Sequence, residues 1–186
     1  MRSVRLAAVV LAGALAVPTV ASAGTYVGLG VGPAPTIDAQ NLTLDGYGRT
    51  GRLILGYRIM QFSVEGALTA ASTSGNVTPS SSVSDLDARY ASIMGKYSHP
   101  LGNGFELFGK LGLQYSDYAV KNGGADLKGS GLAIAGGVEY HVSLGVGSIG
   151  LALEYGLSSA TLQDNATNAQ TKVDSRQWML SVSVGL

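Results

Sequence analysis

The 186-residue chain contains no cysteine and only 2 histidines. Without cysteine there is no disulfide framework, thiolate metal site or thiol nucleophile, and a lipid-anchored lipoprotein, which needs a cysteine after its leader, is excluded. Charge is also scarce: Asp, Glu, Lys and Arg make up 13% of the chain, against roughly 25% in soluble domains. An ordinary water-facing surface is hard to build from that composition. Past residue 23 there is no apolar run of about 18 residues, which excludes an ordinary transmembrane helix. Nor is there an excess of either sign, with 12 basic and 12 acidic residues, so no basic patch recommends nucleic acid as a partner. Membrane residence, if it occurs, must use strands.

What is present begins with "MRSVRLAAVVLAGALAVPTVASA". Arg2 and Arg5 precede an apolar run from Leu6 to Val17 and a small-residue site at Ala21-Ser22-Ala23, the order of parts in a secretory signal peptide. Residues 1–23 are expected to be a signal peptide and residues 24–186 one exported domain. That domain carries most of the 27 glycines.

Along it, apolar residues recur at every second position, the strand period. Eight segments alternate in this way. They centre on 24–32, 51–59, 62–71, 85–97, 104–116, 129–142, 149–156 and 173–185. Short connections are expected near Met60 and Gln61, through "SHPLGNG" and through "SLGVG", and long polar loops at about 33–50, 72–84, 117–129 and 158–172. Alternating short and long connections predict an all-β, eight-stranded antiparallel up-and-down transmembrane barrel.

One face of each segment is greasy and the other is small, with single charges. In a soluble barrel the second face would meet water and be dense in Lys and Glu; here it is mostly Gly, Ala and Ser, which suits a narrow lumen. Parity then sends Arg52, Arg58, Lys96 and Lys110 inward together with Glu65, Glu106, Glu139 and Glu154. A carboxylate or ammonium shut away from water is costly unless paired, so balanced signs predict an ion-pair network that plugs the barrel. On the greasy face, Tyr57, Phe62, Tyr97, Phe105 and Tyr140 lie beside the short turns, and Tyr115, Tyr155 and Trp178 nearer the long loops. This predicts two aromatic girdles, one per membrane surface.

The phrases "FELFGKLGLQYS", "GLAIAGGVEYHV", "GLALEYGL" and "WMLSVSVGL" resemble the small outer-membrane β-barrel family that includes the OmpA transmembrane domain, OmpX and the neisserial opacity proteins. The resemblance implies an eight-stranded barrel closed by lumen salt bridges in the bacterial outer membrane. It also implies partners in outer-membrane lipid and lipopolysaccharide, periplasmic chaperones, the barrel-assembly machinery, and a host or surface ligand held by the loops. The family commonly ends in an aromatic residue; here the final residue is Leu186.

Catalytic chemistry is thin. Some barrels of this size modify lipid A with a Ser-His-acid triad, but His99 and His141 both fall at the short-turn end, away from the outer leaflet. His99 is expected in a turn before Pro100, and His141 as a hydrogen-bonding group in the lumen. Two histidines and the scattered aspartates Asp85, Asp87 and Asp117 do not make a metal site, and no cofactor is expected. "GLGVG" opens no βαβ unit and is not a dinucleotide motif. The sequence favours a non-enzymatic structural or surface-contact barrel, with a narrow solute channel or a lipid-modifying enzyme as the alternatives.

Overall fold

The computed structural model describes residues 24–39, 42–78, 82–120, 126–144, 147–164 and 170–185. The signal peptide expected over residues 1–23, and Leu186, lie outside them. Strand segments are β1 (Thr25–Pro33), β2 (Thr36–Ala39), β3 (Leu42–Ile59), β4 (Phe62–Thr78), β5 (Ser82–Gly102), β6 (Phe105–Val120), β7 (Asp126–Ser143), β8 (Ser148–Asp164) and β9 (Gln170–Gly185). Consecutive segments from β3 to β9 pair antiparallel. β1 and β2 both lie between β3 and β9, and the β1–β9 pairing, Tyr26 opposite Gly185 through Val31 opposite Leu180, closes the ring.

Nine segments therefore make eight staves, because β1 and β2 are one stave broken at Ala34-Pro35, just after Pro33. Proline has no N–H to give to a ladder, so two prolines in three residues interrupt pairing on both sides. The carbonyl of Pro33 is not left bare: Thr50 Oγ1 donates to it at 2.9 Å and Gln177 Nε2 at 3.3 Å.

Tight turns join β3 to β4 at Met60-Gln61 and β5 to β6 at Asn103-Gly104. Asn103 and Gly104 have φ of 53° and 84°, as a two-residue hairpin of the primed type requires. Met60, at φ 56°, accepts a 2.8 Å hydrogen bond on its carbonyl from Arg58 Nε. "SHPLGNG" is mostly strand, and His99 sits exposed in β5 opposite Leu107, not in a turn.

The long loops expected at 33–50, 72–84, 117–129 and 158–172 are mostly strand as well. The ladder runs on, but the wall changes chemistry. In the half near the tight turns the outward positions are apolar, for example Leu68, Ile93, Leu111 and Leu132, each about 60% exposed. In the far half they are polar: Arg49, Ser72, Arg89, Lys128, Thr161, Lys172 and Asp174. Inward positions there are apolar instead, and Ile37, Ala71, Leu86, Ala88, Tyr90, Tyr118, Ala160, Leu162 and Val173 pack into one cluster. Polar outward residues made these stretches read as loops, although the inward residues keep the period of two.

Candidate functional site

Period-two geometry fixes which side chains meet inside the ring, and register fixes their heights. All eight charged residues assigned inward from the sequence sit on the inner face. They form one continuous chain with His141. Arg52 Nη1 contacts Glu154 Oε1 at 2.5 Å, Lys110 Nζ contacts Glu154 Oε2 and Glu65 Oε2 at 2.6 Å each, and Lys96 Nζ contacts Glu65 Oε1 at 3.4 Å. Lys96 Nζ also holds Glu139 Oε2 at 2.5 Å. His141 Nε2 lies 3.4 Å from Glu139 Oε2 and 3.5 Å from Glu106 Oε2, and Arg58 Nη2 donates to Glu106 Oε1 at 2.7 Å. The chain starts on β3 at Arg52 and returns to β3 at Arg58, having touched β4, β5, β6, β7 and β8. Ladder pairing joins only neighbouring staves, whereas these contacts tie staves across the ring.

The Lys96, Lys110, Glu65, Glu139 and Glu154 side chains are each 5–6% exposed. Charges this deep are tolerable only because every carboxylate meets at least one cation and the signs balance. Two further residues complete the arrangement. Tyr26 Oη donates to Glu65 Oε1 at 2.5 Å. The Phe108 ring lies beneath both ammonium groups, 4.6 Å from Lys96 Nζ and 5.0 Å from Lys110 Nζ, where its negative face adds to their stabilisation. Glycine makes room for that ring: a Cβ on Gly137 would stand 2.7 Å from Phe108 Cζ. Parity already put Tyr26 and Phe108 on the inner face, but a search restricted to charged residues passes over both.

The interior is layered. Nearest the tight turns is a cavity of about 160 Å³ lined by Arg58, Lys96, Glu139, His141, Ser148 and Ser183, among others. The ion-paired chain comes next. Above it lies an uncharged polar layer in which Gln114 Nε2 donates to Ser116 and Ser158 at 3.2 and 3.1 Å, Ser158 and Ser175 share a 2.8 Å bond, and Gln177 donates to Thr50 at 2.5 Å. The apolar cluster with Tyr90 and Tyr118, edge to face at 5.7 Å, lies toward the far end.

On the outer wall, Phe62 and Tyr97 pair with ring centroids 5.1 Å apart, and Phe105 and Tyr140 at 4.7 Å, both beside the tight turns; Tyr57 lies on the same band. Tyr155 and Trp178 pair at 4.7 Å higher on the wall, and Tyr115 also faces outward. The aspartates weighed for calcium have other contacts: Asp87 accepts from Ser72 at 2.9 Å, and Asp117 lies 3.6 Å from Lys128. The side chain of Asp85 is outside the described set.

A family model of the outer membrane protein beta-barrel domain matches residues 6–185. The chain belongs to that family. It is accordingly a β-barrel of the bacterial outer membrane. Among solved structures, the barrel is similar to neisserial surface protein A, with a TM-score of 0.65 and 17% identity over 89% of this chain and 99% of that one. It is also similar to OprG from Pseudomonas aeruginosa (TM-score 0.55, 16% identity, 88% and 97% covered). A third is Ail of Yersinia pestis, solved in complex with the heparin analogue sucrose octasulfate (0.54, 15%, 88% and 99%). At these identities the likeness is one of fold. No curated protein sequence matches the chain.

Proposed function

We propose that this outer-membrane barrel is a sealed structural and surface-contact element and not a pore. What supports the reading is the succession of layers inside the ring: an ion-paired chain, a hydrogen-bonded polar layer and an apolar cluster follow one another along the axis. A hydrated ion entering such a path would have to break charge pairs and then cross a greasy section, each step costing several kcal/mol. The tight turns face the periplasm and the extended staves stand outside the cell, where they meet a host or surface ligand. The two sets of outward aromatics anchor the wall at the two interfaces. Lipid, lipopolysaccharide, periplasmic chaperones and the assembly machinery are its partners during and after insertion.

The placement of the two histidines weighs against the lipid-modifying alternative. His99 is exposed on the outer wall near the tight turns, His141 lies between two carboxylates in the lumen, and among the described residues no serine is hydrogen-bonded to either.

Planar-bilayer recordings of the purified barrel test the sealed reading. The expected result is a quiet membrane with at most brief, small events. Long-lived open steps of uniform size, scaling with the amount of protein added, would return the chain to the channel class. Adhesion of cells expressing the barrel, compared with a deletion strain, tests the contact role, and equal adhesion by the two would remove it.

A further inference from the structure

The register of β6 and β7 brings together three groups that sequence spacing leaves far apart. Glu106 stands directly opposite Glu139, and His141, two residues beyond Glu139, shares its inward face. One ligand atom from each lies within 4.8 Å of the others. His141 Nε2 is 3.4 Å from Glu139 Oε2 and 3.5 Å from Glu106 Oε2, both longer than an ordinary N–H···O bond of about 2.7–3.2 Å. Glu106 Oε2 is shut off from solvent and has no hydrogen-bond donor, an expensive state for a carboxylate oxygen. Those distances have another chemical meaning. Four ligands held tetrahedrally at about 2.0–2.1 Å from zinc stand about 3.4 Å from one another.

We propose that Glu106, Glu139 and His141 form a three-ligand site for a zinc-type divalent ion at the periplasmic mouth of the lumen, with Arg58 as its built-in competitor. Imidazole with two carboxylates is a borderline-hard set that suits zinc and its neighbours, whereas calcium and magnesium call for more oxygens. Two of the three ligands, Glu139 and His141, line the cavity of about 160 Å³, the route by which the ion would enter and from which water would complete the coordination. Lys96 remains on Glu139 Oε2, since a carboxylate oxygen has two lone pairs.

Arg58 is the group that must yield. Its Nη2 holds Glu106 Oε1 at 2.7 Å and its Nη1 stands 3.5 Å from His141 Nε2, so the guanidinium is the cation facing this pocket from β3. Of the cations in the chain of charges it is the most exposed, at 25%, and it sits beside the Met60 turn, where it can swing toward the periplasm. Metal binding is therefore an exchange of the +1 guanidinium for a +2 ion, which adds one unit of positive charge to the site instead of two.

The test uses tag-free, full-length barrel refolded in detergent, titrated calorimetrically with ZnCl2, with cobalt absorption as a second readout. Expected are one zinc per chain and intense visible cobalt bands of low coordination number. His141→Ala should weaken zinc at least about tenfold, and His99→Ala should leave it unchanged. Arg58→Gln, by removing the competitor, should tighten it several-fold. Each variant is checked for heat-modifiable gel mobility, which reports the folded barrel independently of metal. The proposal is overturned if the wild-type barrel takes up no stoichiometric zinc and gives only six-coordinate cobalt spectra. It is equally overturned if folded His141→Ala binds zinc as well as wild type, the signature of an adventitious ion only, or if folded Arg58→Gln binds it more weakly.

Discussion

Replacing Lys110 by methionine tests whether the lumen charges act as a coupled unit. Lys110 Nζ bridges Glu65 and Glu154 at 2.6 Å each, and its side chain is 5% exposed, so solvent does little to screen what is lost. Methionine keeps much of the volume and its contact with the Phe108 ring. Of the two stranded acids, Glu154 retains Arg52 at 2.5 Å, while Glu65 retains Tyr26 and a longer, 3.4 Å contact with Lys96. Removing one member of a buried ion pair typically costs about 3–5 kcal/mol, and these remaining partners place Lys110→Met near the lower end, about 3 kcal/mol. Adding Glu65→Gln restores the balance of charge and leaves Lys96 on Glu139 at 2.5 Å. The double variant should therefore be more stable than the sum of the two single losses by about 1–3 kcal/mol. Equilibrium urea unfolding in lipid vesicles, followed through the single tryptophan, Trp178, and by gel mobility, measures all three. A Lys110→Met loss below about 1 kcal/mol, or strict additivity in the double variant, would refute the argument that these charges stabilise one another.

Two other predictions follow from the change in wall chemistry. Leu111→Arg, in the middle of the apolar band, should cost about 2–4 kcal/mol, whereas Thr161→Arg, on the outward face of the extension, should stay within about 0.5 kcal/mol of wild type; the same vesicle unfolding assay compares them, and equal costs would move the membrane boundary. Leu162→Ala removes the 1%-exposed leucine from the apolar cluster. It should take about 2–5 kcal/mol from the local stability of the extension, speeding its cleavage by added protease while leaving amide exchange in residues 105–113 unchanged.

The strand count and the inward parity of Arg52, Arg58, Glu65, Lys96, Glu106, Lys110, Glu139 and Glu154 were legible because both depend on a period of two, a local property of the backbone. The extent of the strands was not. A stretch such as "SSATLQD" looks like a loop when strands are recognised by greasy outward positions, and its inward Ala160 and Leu162 gain meaning only from Val173 and Tyr118 on other staves. His141 shows the same limit at the site itself. Parity put it in the lumen, but only the pairing of Glu106 with Glu139 sets it between two carboxylates.

Sequence by itself thus determined the class of this protein: a chain with too little charge for a soluble surface, no helix-length apolar run past residue 23 and eight alternating segments has one ready way to reside in a membrane. Tertiary structure alone decided which charges touch. Glu154 pairs with Arg52 and Lys110, and Glu139 with Lys96, across a ring whose closure places residues about 100 positions apart side by side. Alternation specifies the face on which a side chain lies, but shear and register set its height in the barrel, and a salt bridge depends on both.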